Sequence, residues 1–301
     1  MNSKDRLSEK YPWLKITTSV ENYVEPNYYD RLLKDYVFNK KSDLAYLRDF
    51  FSSLRIRKTI KILELGCGNG RATKVALTEF PNAQFELVDL SPRMLKDARR
   101  RFVERRTPIR YIRSDSITYL ENTNEIYDVT FTLWSFSHST HQILSKMGLR
   151  DGQRRIQKAI RKFVLKNMKV GSVFFLIHFD SLSDEQKILI RQWKRVYPIF
   201  RDNRRQSPSK RCTDEVLKEL SDNGIIKFSA THYKGKPIIY RSLDEALEIF
   251  MNFHMESFFN KSPHAKEIIE DLAKYFKRFK KSNGSIEITP GCFVYKFIKI
   301  R

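Results

Sequence analysis

The chain has 301 residues, of which 41% are hydrophobic and 31% are charged, a composition typical of a folded globular protein and not of a disordered one. This length suffices for a hydrophobic core without disulfides or structural metals, and the three scattered cysteines exclude a disulfide framework and a CxxC-type metal site. The net charge of +22 creates a positive field, which attracts acidic small molecules or polyanions such as nucleic acid.

The sequence predicts neither a membrane-spanning helix nor a signal peptide. The longest unbroken apolar run, Val173–Ile177, is far shorter than the ~20 residues of a membrane helix. No apolar stretch follows the first six residues in the way that a signal peptide requires. The sequence therefore predicts a cytoplasmic protein without a membrane partner.

The first 57 residues are rich in aromatic side chains and predict a helical cap. Between Lys41 and Leu54, apolar residues recur at spacings of three and four, which places them on one face of a helix. We expect this cap to lie over a core that begins at residue 58 and to exclude water from a site beneath it.

From residue 58 onward, strands and helices alternate. The predicted strands are Lys61–Leu65, Ala83–Leu90, Ile109–Arg113, Tyr127–Leu133 and Ser172–Phe179. This order predicts an α/β fold, Rossmann-like, with a mostly parallel sheet covered by helices on both faces. We expect one catalytic domain over 58–301, with a helical insertion over about 181–222 and with substrate-side helices and a hairpin over 242–301.

The strongest functional signal is the sequence ILELGCGNG at residues 62–70, where a strand runs into three alternate glycines and then into a helix. Glycines allow a positive φ and let the backbone approach a ligand, while the N–H groups at the start of the helix are free to bind it. Arg71 stands where the dinucleotide fingerprint GxGxxG has its third glycine, and the lysine of a phosphate-binding P-loop is missing. The spacing is ExGxGxG, with Glu64 as the acid.

Acidic residues also mark the ends of the next two strands. Asp89 lies 19 residues after Gly70, where a carboxylate can accept hydrogen bonds from both hydroxyls of a ribose. Asp115 follows the third strand and can accept from the exocyclic amine of a base. The fourth strand leads directly into Trp134.

These four elements, in this order and spacing, resemble the class I S-adenosylmethionine-dependent methyltransferases over about residues 28–179. The resemblance implies a seven-stranded sheet, S-adenosylmethionine as the cofactor, methyl transfer as the activity and no metal. It also implies that Glu64 orients the glycine loop and the amino group of the cofactor, that Asp89 binds the ribose and that Trp134 lies at the mouth of the site. The cofactor-binding residues that it implies are Tyr29, Glu64, Gly66, Cys67, Gly68, Gly70, Asp89, Leu90, Asp115, Ser116 and Trp134.

The residues leave the identity of the methyl acceptor open. In this fold the acceptor site lies at the carboxyl ends of the strands, so His138, which follows the fourth strand, is the candidate base or polar substrate contact. His178, at the end of the fifth strand, is placed at the same edge but suits a structural role. The absence of an Asn-Pro-Pro-Tyr sequence after the fourth strand argues against exocyclic base amines and glutamine amides as acceptors.

Three functions remain open. The main hypothesis is methyl transfer to a nitrogen or oxygen atom of a small molecule or short peptide that the aromatic cap encloses. The second is an RNA methyltransferase, because the tracts 93–113, 150–169 and 187–211 are strongly basic and the last also carries aromatic residues. The third is a non-catalytic scaffold that keeps the cofactor fold, against which the intact glycine loop and Asp89 argue.

Overall fold

The fold is taken from a computed structural model, which describes residues 7, 9–14, 32–54, 60–105, 107–196, 198–201, 206–255 and 262–301. Tyr29, which the resemblance assigns to the cofactor, lies outside these residues, as does much of the predicted cap. None of the helices in the described ranges combines the length and the apolar character that crossing a membrane requires.

Strands and helices follow the alternating order that the sequence predicts. The strands are β1 (Val37–Phe38), β2 (Lys41–Ser42), β3 (Lys61–Leu65), β4 (Gln84–Asp89), β5 (Ile109–Arg113), β6 (Tyr127–Leu133), β7 (Met168–Phe179), β8 (Ile226–Lys234), β9 (Ile238–Tyr240), β10 (Ile286–Ile288) and β11 (Gly291–Lys299). The α-helices are α1 (Asp43–Ser52), α2 (Arg71–Glu79), α3 (Pro92–Arg101), α4 (Ser116–Asn122), α5 (Ser135–Lys162), α6 (Asp184–Val196), α7 (Pro208–Asp222), α8 (Leu243–Ile249) and α9 (Ala265–Phe276). Two π-helical turns, Phe163–Asn167 and Phe250–His254, extend α5 and α8, and 3₁₀ turns cover Pro198–Arg201 and Lys277–Phe279.

The main sheet has seven strands in the order β5-β4-β3-β6-β7-β11-β8. Strands β3 to β7 run parallel, and β11 runs antiparallel to both β7 and β8. The predicted Rossmann-like, mostly parallel seven-stranded sheet is therefore confirmed. Within the main sheet, the chain passes from β3 outward through β4 to β5 and then crosses back to β6, on the other side of β3. The direction in which successive strands are added to the sheet therefore reverses between β3 and β6. Open α/β sheets bind their ligands at such a switch point.

Helices cover both faces of the sheet, as predicted. Right-handed crossovers place α2 and α3 on one face and α4 and α5 on the other, because the chain runs in opposite directions before and after the switch point. Successive residues of β7 show the two faces: the ring of Phe175 contacts Phe50 of α1 at 5.0 Å between centroids, and Phe174 contacts Phe163 at 6.3 Å. Side chains that alternate along a strand thus bury apolar surface on both sides.

One local expectation is wrong. The predicted terminal hairpin does not form, because β10 pairs with β9 while β11 inserts between β7 and β8. Nearness in sequence favours a hairpin, but the position between two strands buries the apolar residues of β11, among them Val294, Tyr295 and Phe297. The stretch after β6 that carries His138 is helical from Ser135, with a break at Gly148 where φ is 78° and ψ is 169°.

Candidate active site

A cavity that is partly open to solvent lies at the carboxyl ends of the parallel strands. One part, the glycine-loop half, is formed by Glu64, Gly66, Cys67, Gly68, Asn69, Arg71, Ala72, Asp89, Ser91 and Met94. The other part, the aromatic half, is formed by Leu33, Tyr36, Leu133, Trp134, Ser135, His138, Phe179, Gln186, Leu189, Trp193, Phe253 and His254. The cavity therefore joins a loop suited to a nucleotide-like ligand to a second, mainly apolar compartment.

The three glycines of the loop serve different purposes, although all have a positive φ. A Cβ on Gly66 would lie 1.8 Å from the Ser135 hydroxyl oxygen, and one on Gly70 would lie 2.5 Å from the ring of Phe102. A Cβ on Gly68 would meet no atom within 4 Å, and Gly68 lines the cavity. Packing within the protein therefore requires the outer two glycines, whereas the middle one leaves room for a ligand.

Asp89 holds the glycine loop in place from the end of β4. Its carboxylate accepts hydrogen bonds from the backbone N–H groups of Gly68 and Ser91, both at 2.8 Å. Burial raises the pKa of Asp89 above its ordinary value, although these hydrogen bonds oppose the rise. Each carboxylate oxygen has a second lone pair, so the same side chain can still accept from a ligand hydroxyl.

Glu64 brings a buried carboxyl group to the cavity wall. It accepts a hydrogen bond from the hydroxyl of Thr73, and its side chain is almost inaccessible to solvent. Burial, assisted by the nearby negative charge of Asp89, raises the pKa of Glu64 to about 8. A ligand ammonium group in the cavity would favour the ionised form of Glu64, because an opposite charge offsets the cost of burial.

Asp43, at the start of α1, connects the N-terminal segment to the glycine loop. Its buried carboxylate forms an ion pair with Arg71 and accepts a hydrogen bond from the indole nitrogen of Trp134 at 2.8 Å. Trp134 has a left-handed backbone with φ of 66°, and its ring packs against Phe179 at 4.8 Å between centroids. Sequence reasoning missed Asp43; its one signal was an acidic residue on the apolar face of a predicted helix.

Only some of the predicted cofactor residues line the cavity. Glu64, Gly66, Cys67, Gly68, Asp89 and Trp134 do, while Gly70, Leu90, Asp115 and Ser116 are not among the described lining residues. Asp115 caps α4 by accepting a hydrogen bond from the backbone N–H of Thr118 at 2.9 Å. Trp134 is buried and anchored to Asp43, so it forms part of the cavity floor and not of an open mouth.

The two candidate histidines have different surroundings. His138 lines the cavity and packs edge-on against Phe179, with 5.9 Å between ring centroids. His178 is buried, and its Nε2 lies 3.0 Å from the hydroxyl of Ser209, which in turn bonds to Thr140. Burial lowers the pKa of His178 to about 4. The structural role expected for His178 therefore fits, and His138 keeps its place as a candidate substrate contact.

A polar cluster in the aromatic half was missed by sequence reasoning. The Tyr36 hydroxyl donates to the buried carboxylate of Glu185 at 2.5 Å, and the amide of Gln186 donates to the same carboxylate at 3.3 Å. His254 Nε2 lies 4.0 Å from it. Tyr36 and Glu185 are 149 residues apart in the chain, so no spacing rule could have joined them.

The fold and the cavity define a cofactor-binding α/β domain with its ligand site at the topological switch point. Comparison with known proteins identifies the domain. A family profile described as a methyltransferase domain matches residues 62–150, which carry the glycine loop, Asp89 and Trp134. The resemblance drawn from the sequence is thereby confirmed: residues 62–150 carry a methyltransferase domain of the class I S-adenosylmethionine-dependent kind, whose methyl donor is S-adenosylmethionine.

Curated relatives match a limited part of the chain. Malonyl-[acyl-carrier protein] O-methyltransferase of Paenibacillus sp. (strain JDR-2) is 34% identical over 98 residues, which cover 31% of this chain and 36% of that protein. The corresponding enzyme 1 of Ilyobacter polytropus is 32% identical over 80 residues, covering 27% of this chain and 29% of the relative. The chain thus spans about a third of the length of the curated relatives that it matches.

Solved structures support the fold. The YcgJ protein of Bacillus subtilis superposes with a TM-score of 0.52 at 14% identity, covering 85% of this chain and 98% of that one. A phosphoethanolamine N-methyltransferase 2 of Haemonchus contortus, solved with phosphomonomethylethanolamine and S-adenosylhomocysteine, gives 0.52 at 16% identity, covering 95% of this chain and 61% of that one. At these identities the likeness shows the α/β fold alone.

Proposed function

We propose that this protein transfers the methyl group of S-adenosylmethionine to a nitrogen or oxygen atom of a small molecule or short peptide. The single observation that carries the proposal is the continuous cavity, which joins the glycine-loop half to the aromatic half. Residues of the glycine loop would hold S-adenosylmethionine, whose sulfonium would supply a methyl group to an acceptor in the second compartment. Because methyl transfer is an in-line displacement, holding the two reactants together supplies much of the rate enhancement.

Within this proposal, Gly68, Glu64 and Asp89 of the glycine-loop half bind different parts of the cofactor. Gly68 gives the methionine part of the cofactor room to approach the backbone, and Glu64 pairs with its ammonium group. Asp89 accepts from the ribose hydroxyls while it keeps the loop folded through Gly68 N–H. Gly70 stays a predicted contact of the methionine part, Asp115 and Ser116 of the adenine edge, Tyr29 of the cover over the cofactor, and Leu90 stays a predicted cofactor contact. We also propose a cytoplasmic location, since all three cysteines are free thiols and buried.

The acceptor of the curated relatives does not transfer directly to this chain. These relatives are named as O-methyltransferases of malonyl-[acyl-carrier protein]. The family match covers residues 62–150, whereas Tyr36, Gln186, Trp193 and His254 of the aromatic half lie outside it. The acceptor must therefore be argued from the cavity of this chain itself.

RNA is the second candidate acceptor, and the net charge of +22 favours it. Ion pairs within the protein weaken this candidate. In the tract 187–211, Arg191 and Arg195 both pair with Asp271, at 2.7 and 3.7 Å. In the tract 150–169, Arg161 pairs with Glu219 at 2.6 Å. Guanidinium groups that already neutralise carboxylates contribute less to phosphate binding, so these two tracts offer RNA fewer available cations than their lysine and arginine content suggests.

Calorimetric titration with S-adenosylhomocysteine tests the proposed function, and we expect saturable one-site binding. The RNA alternative is tested by the salt dependence of RNA binding, whose log–log slope is about −0.7 for each phosphate contacted on a single strand. We expect a shallow slope, unchanged in a Lys187→Glu, Lys194→Glu variant. A slope steeper than about −3 that flattens in this variant would establish RNA as the partner.

A further inference from the structure

The aromatic half of the cavity lies against a buried carboxyl group, Glu185, that forms no ion pair with a lysine or arginine of the described residues. Glu185 lies directly beneath the wall, with 1% of its surface exposed. Among the described residues that line the cavity, Arg71 is the sole lysine or arginine. It lies in the glycine-loop half and forms an ion pair with Asp43. His254, 4.0 Å from Glu185, is kept neutral by burial, which lowers its pKa to about 3.

The other groups around Glu185 are neutral donors. The Tyr36 hydroxyl and the Gln186 amide donate to its two oxygens, and both of these residues line the cavity. Tyr240 faces the same carboxyl, and burial raises its pKa well above the ordinary value, so it stays uncharged. Burial raises the pKa of Glu185 itself to about 7, although the Tyr36 and Gln186 bonds oppose the rise.

The rest of the aromatic half suits a cation. The Tyr36 and Trp134 rings lie 5.5 Å apart at their centroids, and Phe179, Trp193 and Phe253 complete the wall. Aromatic faces attract an ammonium group through their negative π surface, most strongly where water is excluded. A carboxylate acceptor would instead be repelled by the ionised form of Glu185, because the neighbours of Glu185 described above are neutral, and like charges brought together in this way are strongly disfavoured.

From this arrangement we propose that the methyl acceptor is an amine, bound as its ammonium form against Tyr36 and the aromatic wall, with Glu185 as the positioning residue behind Tyr36. The inference rests on the proposed methyltransferase function and adds the class of acceptor to it. Tyr36 touches the acceptor nitrogen, and Glu185 acts through Tyr36.

The same pair accounts for the proton that an amine must lose before it can react. An ammonium nitrogen has no lone pair, so it passes a proton to the Tyr36 oxygen while Tyr36 passes its own to the Glu185 carboxylate. The nitrogen lone pair then forms a bond to the methyl carbon, and the electrons of the breaking C–S bond stay on sulfur as S-adenosylhomocysteine forms. The proton on Glu185 is released to solvent when the product leaves.

Two probes of matched size and opposite charge test the inference: 2-phenylethylamine and 3-phenylpropionate, each titrated into the complex with S-adenosylhomocysteine. We expect the amine to bind at least tenfold more tightly. Its affinity should rise as pH increases from 5.5 through about 7, because Glu185 ionises in that range. The variants Glu185→Gln and Tyr36→Phe should each weaken amine binding about tenfold, and Glu185→Gln should also remove the pH dependence.

Tyr295→Phe is the matched control, because Tyr295 donates a hydrogen bond of the same kind to Asp214 at 2.5 Å and does not line the cavity. It should leave amine binding and its pH dependence unchanged. Equal or tighter binding of the carboxylate, no amine binding up to 10 mM, or a pH dependence that survives Glu185→Gln would overturn the inference. Failure of S-adenosylhomocysteine itself to bind would instead overturn the proposed function, so the two failures are distinguishable.

Discussion

Substitution of Gly68 separates ligand contact from folding. Its φ is 54° and a Cβ there would meet no protein atom within 4 Å, so Gly68→Ala costs the folded protein only the strain of a left-handed backbone, about 1–2 kcal/mol. Gly224→Ala is the matched control, since its φ is 65°, its Cβ position is also empty to 4 Å and it does not line the cavity. Both variants should lower Tm by a similar amount, roughly 2–8 °C.

Only Gly68→Ala should affect the cofactor. The added methyl group occupies space that the cofactor needs, and forcing an extra methyl into a packed contact costs about 1–3 kcal/mol, equivalent to roughly 5- to 150-fold in affinity. Calorimetric titration with S-adenosylhomocysteine measures this loss, and Gly224→Ala should bind as the wild type does. Binding by Gly68→Ala within twofold of wild type would refute the placement of the cofactor on this loop.

Three further substitutions test the rest of the site. Asp89→Ala should weaken S-adenosylhomocysteine binding well over tenfold in the same titration, because it removes ribose acceptors and the support of Gly68; unchanged affinity would contradict this role. Folding raises the pKa of Glu64 to about 8, so the stability it contributes is complete below about pH 4.5 and is lost as pH rises through 8. Glu64→Gln should therefore raise Tm at pH 9 more than at pH 6, and an equal change at both would disprove the linkage. Asp43→Ala removes the buried carboxylate that pairs with Arg71 and accepts from the Trp134 indole. It should cost about 3–5 kcal/mol in denaturant unfolding, against less than 1 kcal/mol for the exposed Asp49→Ala.

The sequence predicted those parts of the site that depend on neighbours in the chain. The glycine loop follows β3 and Asp89 ends β4, and these two strands pair in parallel, so their position at one edge of the sheet follows from the parallel order. Asp115 also follows a strand, as predicted, but its carboxylate accepts a hydrogen bond from the backbone N–H of Thr118 and thereby caps the start of α4. A carboxylate beside the start of a helix can cap the helix or bind a cofactor, and the sequence alone does not distinguish these two roles.

Other features depended on contacts between distant segments. The aromatic half joins Tyr36 to Gln186 and His254, which come from three distant segments of the chain. The place of β11 between β7 and β8 likewise depends on pairing with strands far away in the sequence, which local turn signals do not encode. Periodicity identifies which faces are buried, whereas the partner of each face is decided by the whole fold.

The most direct test of the account is transfer of a labelled methyl group from S-adenosylmethionine into a cell extract, separated afterwards into RNA, protein and small-molecule fractions. We predict label in the small-molecule or short-peptide fraction, on nitrogen of an amine, with wild-type protein and its loss with Asp89→Ala. Label confined to RNA would contradict the small-molecule acceptor. Absence of transfer into every fraction, from a protein that is folded and binds S-adenosylhomocysteine, would contradict the catalytic account and favour the scaffold.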